Sequence, residues 1–367
     1  MSEYSVPADY KYETLKKYWE LNMEYPDKVS ETYGQLNCSD NNFGSGRDSE
    51  HTPYCDLKIL EKYIGRSERM GIEFNYLFNA SCLSNYEFSE RGITHILSFF
   101  TTLYNIGVRT VTVCIPSVME LVKLSELPFS IRASTVCGII NAEKAKAYMR
   151  LGASRLVVDE SINRDFEQLI RISAVCPGSL ELIVNVICNK NCIYRPFHHN
   201  QMSHDSLYGK ACVDYYSHRC MLKRGEEPSN LLKMNFIRPE DIKYYESIGI
   251  NKFKIQGRQA VQGGDIYKTV KAYFMRKYEG NLLDLLDCFM PTDSFRIGVD
   301  NRTLDGFLEP FFYEGICKND CEKCDYCNNY IQKCLDIKEL KEISNLSREC
   351  INSIDSFKNM VKNIMRN

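Results

Sequence analysis

The chain has 367 residues, 44% of them hydrophobic, and a formal net charge of −2. This length supports one large domain plus a smaller appendage, and the near-zero charge excludes the overall basic field by which many nucleic-acid-binding proteins are recognised. No apolar run approaches the about 18 residues of a membrane span, and Met1–Pro7 lacks the basic and apolar regions of a secretory signal, so we expect a cytoplasmic protein without a membrane partner.

The predicted elements begin with a helix at Tyr10–Met23 and a polar, Gly- and Asn-rich loop at Cys38–Arg47. Strands and helices then alternate. Apolar and β-branched runs predict strands at Ile72–Phe78, Arg109–Ile115, Ser130–Val136, Arg155–Asp159, Leu180–Ile187 and Asn251–Gln256. Helical periodicity and end signals predict helices at Ile93–Tyr104, Asn141–Leu151, Arg164–Ser173, Pro239–Ile248 and Asp265–Tyr278.

Regular alternation of strands and helices is typical of a parallel sheet with crossover helices. The fold class is therefore α/β, and we expect a TIM-like (β/α) barrel over residues 1–280 with a cysteine-bearing insertion at 188–235; an open doubly wound sheet is the second choice. Residues 281–367 are expected to form a cysteine-rich and helical extension, whose tail Leu335–Asn367 predicts two amphipathic helices.

Cysteine is the unusual residue in this composition, with 17 in the chain. Many cysteines in a reducing compartment indicate metal or redox chemistry rather than disulfides. Eight are scattered and are interpreted as small buried side chains: Cys38, Cys55, Cys82, Cys114, Cys137, Cys176, Cys288 and Cys350. Whether Cys38 binds a metal is left open.

A first cysteine group follows directly on the strand Leu180–Ile187 and consists of Cys188, Cys192, Cys212 and Cys220. Residues at the carboxyl end of a barrel strand lie where barrel active sites are built. Four thiolates can hold a 4Fe–4S cluster. A zinc site of mixed cysteine and histidine ligands, or a loop without metal, are the alternatives. His198 and His199, in the same segment, are candidate acids or bases, or structural loop residues.

A second group at the C-terminal side has the pattern Cys-x3-Cys-x2-Cys-x2-Cys and consists of Cys317, Cys321, Cys324 and Cys327. Structural zinc is usually bound by two short motifs separated by a dozen or more residues. The compact run favours a 4Fe–4S cluster instead, with zinc or metal-free surface cysteines as alternatives. Cys334 follows shortly after, and its role is left open.

Three segments in sequence order carry a family resemblance: SIRASTVCGIINAEKAKAYMRLGASRLVVDE at 130–160, VNVICNKNC at 184–192 and KFKIQGR at 252–258. They resemble the collagenase-like peptidase family U32 over about residues 30–280, with Gln256 where that family usually has Glu. The resemblance implies a barrel with a 4Fe–4S cluster in its mouth. It also implies oxygen-independent hydroxylation of a quinone precursor, tRNA or ribosomal RNA, or a peptidase activity.

We therefore predict an iron–sulfur enzyme, holding one 4Fe–4S cluster or two, that modifies an organic or RNA substrate by redox chemistry, with hydroxylation as the leading reaction. A collagenase-like peptidase, or a non-catalytic iron–sulfur subunit of another enzyme, are the alternatives; no known protease motif is present. The expected partners are a small-molecule, peptide or RNA substrate and a protein partner or electron donor.

Basic side chains near the predicted site are candidates for binding an anionic substrate group, because arginine forks match carboxylates and phosphates. Arg258 is the catalytic candidate among them, together with the two histidines. The candidate substrate-binding residues are Arg155, Arg195 and Lys254. For each, an ion pair at the barrel rim is the alternative interpretation.

Overall fold

A computed structural model describes residues 1–38, 43–47, 49–208, 215–290, 297–318, 321, 323–335 and 337–365. Eight parallel strands, paired in chain order, form a closed barrel because the last strand pairs with the first. The strands are β1 Glu3–Pro7, β2 Lys28–Gly34, β3 Glu73–Phe78, β4 Thr110–Val113, β5 Ser130–Ala133, β6 Ala153–Val157, β7 Leu180–Ile183 and β8 Lys252–Lys254. The predicted TIM-like barrel is therefore confirmed, and the open sheet is excluded.

Helices surround the barrel and form both the insertion and the C-terminal extension. They are α1 Tyr12–Glu24, α2 Leu57–Arg69, α3 Glu90–Asn105, α4 Pro116–Leu124, α5 Ala142–Arg150, α6 Phe166–Val175, α7 Arg195–Tyr208, α8 Tyr215–Glu226, α9 Asn230–Lys233, α10 Ile242–Ser247, α11 Ile266–Phe274, α12 Leu282–Leu286, α13 Glu309–Tyr313, α14 Tyr326–Ile331 and α15 Ile337–Ile364. Short polar side chains accept a backbone N–H at the start of five barrel helices, which fixes where these helices begin: Asp56, Ser89, Asn141, Asp165 and Asp265.

The C-terminal tail corrects one prediction. It forms the single helix α15 over residues 337–364, not two helices. No glycine or proline interrupts this stretch, so nothing in the sequence forces a break. The helix packs against α8 of the insertion, where Ser344 lies against Gly225. None of the described helices is both long and apolar enough to cross a membrane.

The interior of the barrel carries a polar network as well as apolar side chains. Glu31, fully buried on β2, accepts hydrogen bonds from Ser5 Oγ at 2.6 Å and Asn75 Nδ2 at 2.9 Å, and its carboxylate lies 2.7 Å from Arg132. Burial acts to raise the pKa of Glu31, but Arg132 and other nearby cations outweigh it and leave the pKa below its usual value. This network lies beneath the carboxyl ends of the strands, where the candidate site is found.

Candidate functional site

A cleft with about 1120 Å³ of open space, part of it continuous with bulk solvent, lies at the carboxyl ends of the barrel strands, and we call it the mouth cavity. Side chains that follow β3, β5, β7 and β8 line it, together with the loop 43–47 and helix α7. Lys254 lies at the end of β8, and Arg258 in the loop after it. The cavity thus occupies the place where TIM barrels build their active sites.

Lys254 is a buried cation in the lining of the mouth cavity, with 8% of its surface exposed. Its Nζ lies 3.7 Å from the centroid of the Tyr33 ring, and among the described residues it has no hydrogen-bond partner. Burial lowers the pKa of the Lys254 amine. An ammonium group without a hydrogen-bond acceptor is available to an anionic or oxygen-bearing ligand that enters the cavity.

Arg258 reaches the same cavity from the loop after β8. Its guanidinium donates to the side-chain oxygen of Gln35 and, at 3.5 Å, to Oδ1 of Asn79. Gly257, just before it, has φ of +146°, a conformation that glycine adopts without strain. A Cβ at Gly257 would also lie 3.1 Å from Cys288 Sγ. The loop therefore fixes the direction in which Arg258 extends.

The other two predicted anion-binding residues have carboxylate partners inside the protein. Arg195 lines the mouth cavity, but its guanidinium is paired with Asp159 and, at 2.9 Å, with Glu160. Arg155 is not in the lining of the cavity; it lies 3.5 Å from Glu3. The ion-pair interpretation therefore describes both arginines in this structure. Lys254 and Arg258 differ from them, because the first lies over an aromatic ring and the second donates to amide oxygens.

Both predicted histidines line the mouth cavity from helix α7. The His198 ring stacks on Tyr216 with the centroids 5.1 Å apart. Burial, reinforced by Arg47, Arg195 and His198, lowers the pKa of His199 to about 3. His199 is therefore uncharged at neutral pH and suits hydrogen bonding to a ligand better than donation of a proton as an acid.

The first cysteine group is partly brought together. Cys188 lines the mouth cavity, and the thiol of Cys220 on α8 donates a hydrogen bond to Cys192. The charges of Cys188 and Cys192 both act on Cys220, which places the three sulfurs in one neighbourhood. Cys212, the fourth predicted ligand, lies outside the described residues.

The environments of Cys188 and Cys192 differ. Burial raises the pKa of Cys188 to about 12. The hydrogen bond from Cys220, together with the backbone N–H groups of Tyr194 and Arg195, lowers the pKa of Cys192 to about 6. Those N–H groups belong to the start of α7, and helix N-termini stabilise thiolates. These contacts favour the thiolate form of Cys192, the form that binds metal.

A buried arginine holds α8 against the loop 188–192. The Arg224 guanidinium donates to the carbonyl oxygen of Ile187 and, at 3.1 Å, to Oδ1 of Asn189. The amide of Asn189 donates in turn to the carbonyl oxygen of Cys220 at 3.3 Å. Cys220 and Arg224 are one helical turn apart, so they project from the same face of α8. The pairing of α8 with this loop brings Cys220 to Cys192.

The second cysteine group lines a smaller cleft with about 450 Å³ of open space, part of it continuous with bulk solvent, which we call the cysteine cavity. All four predicted thiols line it, and basic side chains complete the lining. The thiols are those of Cys317, Cys321, Cys324 and Cys327. Cys334 is not part of the lining; its thiol donates to the carbonyl oxygen of Tyr330 at 3.3 Å. The structure thus groups the four predicted thiols and leaves Cys334 in the core.

As far as their members lie in the described part of the chain, the two cysteine groups do not form a site for a single metal ion. Within the described residues, no three His, Cys, Asp or Glu side chains converge as the ligands of one metal ion do. The thiolates of a 4Fe–4S cluster bind separate irons, so they surround a body rather than meet at a point. Four thiols around one cavity match the number of ligands of such a cluster, and Cys188, Cys192 and Cys220 would be three candidate ligands beside the mouth cavity.

Sequence reasoning missed two polar side chains that help form the mouth cavity. Asn79 follows β3 and contacts both Arg258 and the backbone N–H of Gly46. Arg47, in the loop 43–47, lies 2.9 Å from Met202 Sδ of α7. Their positions in the sequence could have identified them as lining residues, because Asn79 directly follows a predicted strand and Arg47 ends a glycine-rich loop.

The chain is similar to known proteins in sequence and in structure. The model of peptidase family U32 matches residues 77–278. The uncharacterized protease MJ1657 of Methanocaldococcus jannaschii is 33% identical over 296 residues, which are 80% of this chain and 86% of that protein. The U32 peptidase Mk0906 superposes with a TM-score of 0.50 at 18% identity, over 70% of this chain and 93% of that one.

These matches confirm the predicted resemblance. The family model covers more than half of the chain, and the relative aligns over most of both proteins. The likeness to Mk0906 supports the fold alone, because its sequence identity is low. This chain belongs to peptidase family U32.

Proposed function

We propose that this protein is an iron–sulfur enzyme that carries out a redox modification, with oxygen-independent hydroxylation as the leading reaction, on a substrate bound in the mouth cavity. The observation that carries the proposal is the grouping of a cysteine thiol, Cys188, with the basic residues Lys254 and Arg258 in one cavity. Cys192 and Cys220 lie beside this thiol. One thiol, a candidate soft metal ligand, thus faces the same space as the two cationic side chains.

In this proposal each cysteine group holds one 4Fe–4S cluster. Cys188, Cys192 and Cys220 hold the first, with Cys212 as the fourth ligand, and the thiols of the cysteine cavity hold the second. When bound, the clusters would supply one-electron redox chemistry; hydroxylation of a C–H bond with water as oxygen source releases two electrons and two protons. An electron-carrier protein that accepts the two electrons is therefore the partner class that we propose.

The protein's own side chains would bind and orient the substrate. Lys254 and Arg258 suit a carboxylate, phosphate or carbonyl oxygen, since both are buried donors that face the cavity. The uncharged ring of His199 suits a hydrogen bond to a polar group. The mouth cavity is open to solvent and has room for a small molecule or one extruded residue of a polymer. An RNA or peptide substrate would therefore place a single nucleotide or amino-acid residue in the mouth cavity.

A peptidase is the second candidate, and the observation that favours it is the match to a relative named a protease. A cysteine peptidase pairs its nucleophile with a base. The thiol of Cys192 has another thiol, that of Cys220, as its side-chain hydrogen-bond partner. Two adjacent thiols are more readily used as ligands of a metal centre than as a nucleophile and base. A non-catalytic subunit is the third candidate and would be active only with its partner.

Anaerobic purification followed by iron and sulfide assays tests the proposal. We expect about eight iron atoms per chain, in two 4Fe–4S clusters, with the matching paramagnetic signals after reduction. The double variant Cys188→Ala/Cys192→Ala and the variant Cys324→Ala should each lose about half of the iron. Cys176→Ala, at a buried cysteine that lines neither cavity, is the matched control and should retain all of it.

Three outcomes would count against the proposal. Protein that contains zinc alone would remove the redox chemistry. Equal iron in the cysteine variants and the parent would remove these ligands. Cleavage of a peptide that persists after the iron has been removed would establish the peptidase instead.

A further inference from the structure

One side chain connects the two cysteine groups. Lys190 lies in the loop between Cys188 and Cys192, and its Nζ donates to Cys317 Sγ at 3.0 Å. The loop that carries the first group therefore contacts the second group directly, although Lys190 and Cys317 are 127 positions apart in the sequence. Lys190 is half-buried, so this contact is partly shielded from water.

The cysteine cavity is basic. Arg164, Lys190 and Lys233 line it from the inside, and no carboxylate is present in its described lining. Lys233 is paired with Glu227, outside that lining. The exposed Lys318 adds a fourth cation at the rim. A cavity of this charge favours an anionic occupant.

Among these cations, Arg164 gives the clearest indication that the cysteine cavity favours an anionic occupant. It is 5% exposed and, within the described part of the chain, has no carboxylate partner. Its guanidinium donates to the carbonyl oxygens of Leu232 at 2.5 Å and Phe236 at 3.3 Å, while its Nε has no partner among the described residues. Aromatic rings enclose it at 4.5, 5.1 and 5.6 Å: Phe236, Phe307 and Phe311.

Burial of a guanidinium without a counter-charge is costly. The thiols of Cys327 and Cys317 are among the groups whose negative charge would offset this cost. The charge of Asp241, itself paired with Arg238, offsets part of this cost, and an anionic cluster bound by four thiolates would add counter-charge on the cavity side.

We propose that Lys190 and Arg164 are positioning residues for the centre in the cysteine cavity, that they raise its reduction potential, and that Lys190 is the link between this centre and the one at the mouth. This inference rests on the proposed function. Reduction adds one electron and makes the cluster more negative, so a nearby cation and an N–H···S hydrogen bond stabilise the reduced form. Removing either should make the centre harder to reduce.

The test is a redox titration of the full chain, prepared anaerobically and followed by paramagnetic resonance, in which each oxidised cluster accepts one electron from dithionite, the reductant added. Lys190→Met removes the charge and the hydrogen bond while nearly preserving the length of the side chain. We expect it to lower the equilibrium constant for reduction of the centre in the cysteine cavity (the C-terminal centre) about tenfold. This corresponds to a reduction potential lower by about 59 mV for one electron. Lys190→Arg keeps a donor and a charge, and should restore most of the shift.

Lys318→Met is the matched control, because it removes the same charge from the exposed rim of the same cavity. Solvent screens that charge, so we expect a much smaller change in potential. Arg164→Met is the second test position. It should lower the potential in the same direction as Lys190→Met.

The outcomes separate this inference from the proposed function. Iron assays on the parent test whether clusters are present at all. With clusters present, a Lys190→Met protein that keeps its iron and its potential would overturn the inference and leave the proposed function intact. Loss of iron from the C-terminal site in Lys190→Met, with retention in Lys190→Arg, would support it. Equal shifts in Lys190→Met and Lys318→Met would contradict a specific role of Lys190.

Discussion

The side-chain amides of Asn185 and Gln256 bind each other's backbone in a reciprocal arrangement. Asn185 Nδ2 donates to the carbonyl oxygen of Gln256 at 2.8 Å, and Gln256 Nε2 donates to the carbonyl oxygen of Asn185 at 2.8 Å. The backbone N–H of Gln256 donates to Asn185 Oδ1, also at 2.8 Å. These bonds join the loops after β7 and β8, which carry Cys188 and Arg258 respectively. The arrangement requires an amide at position 256, because that side chain donates.

Gln256→Glu should therefore destabilise the protein, although Glu is common at this position in the family that the sequence resembles. A carboxylate cannot donate to the carbonyl oxygen of Asn185, and the two oxygens would repel each other. We expect a loss of about 1–3 kcal/mol in the free energy of unfolding, measured by urea denaturation at pH 7.

The pH dependence of this variant provides its control. Once protonated, the introduced carboxyl group has an O–H that donates, so the difference in stability between variant and parent should shrink as the pH falls towards the carboxyl pKa. A difference that stays constant between about pH 7 and pH 4 would show that the hydrogen bond is not the cause.

Asn189→Ala should loosen the contact between α8 and the loop 188–192. The variant removes the acceptor that Arg224 Nε contacts and the side-chain donor that contacts the carbonyl oxygen of Cys220. We expect a loss of about 1–3 kcal/mol in the free energy of unfolding of the iron-free protein. The mouth centre should also lose iron, whereas the C-terminal centre should keep it.

Asn329→Ala, at an exposed position of α14, is the comparison for this prediction. It should change neither the stability, beyond about 0.5 kcal/mol, nor the iron content. If Asn189→Ala behaved like Asn329→Ala, the loop would be held by other contacts.

Sequence patterns predicted the strands β3 to β8 of the barrel and missed its first two strands. The segment β5–α5–β6 was recognised because apolar runs flank a helix that Asn141 caps. Strands β1 and β2 carry Ser5 and Glu31 towards the barrel interior, where they bond to each other. Polar residues in a buried network remove the apolar signal on which strand prediction depends. The predicted TIM-like barrel followed from the alternation of later elements.

The sequence predicted which residues form the candidate site, but not the tertiary contacts between them. The position of Cys188 after a strand predicted a side chain at the barrel mouth, and the short spacing of the C-terminal cysteines predicted a shared cavity. No local pattern could pair Lys190 with Cys317, or Arg195 with Asp159, because these contacts depend on how the insertion packs. Their geometry is a tertiary property.

Arg195→Met should destabilise the protein more than an exposed arginine variant would. It removes the counter-charge of Asp159 and Glu160, whose side chains are 7% and 10% exposed. We expect a loss of about 3 kcal/mol in the free energy of unfolding at pH 7, since two buried carboxylates are left without a cation. Urea denaturation measures it.

Removal of the carboxylates distinguishes this charge effect from lost packing. The triple variant Arg195→Met/Asp159→Asn/Glu160→Gln carries no buried charge at this site and should recover part of the stability lost by Arg195→Met. Arg171→Met is the control, because Arg171 and its partner Glu167 are both more than half exposed; we expect a change of less than about 1 kcal/mol. A triple variant less stable than Arg195→Met would point to packing of the Arg195 side chain instead.

The lowered pKa of His199 predicts how the free energy of unfolding depends on pH. Its pKa is lowered to about 3 in the folded protein, chiefly by burial, against about 6.5 in an unfolded chain. Between these values the unfolded chain binds a proton that the folded protein does not, so stability falls as the pH decreases below about 6.5. The contribution of His199 to the free energy of unfolding changes by at most about 1.4 kcal/mol per pH unit and is fully present above about pH 6.5.

His199→Phe keeps a ring of similar size without a titrating group, so its urea midpoint should fall less than that of the parent between about pH 7 and pH 5. Phe197→Leu, at an exposed position of the same helix α7 that does not titrate, should leave the slope of the parent unchanged. Parallel pH profiles for the parent and His199→Phe would mean that His199 takes up its proton in the folded protein as readily as in the unfolded chain. That result would contradict an uncharged His199 ring in the mouth cavity.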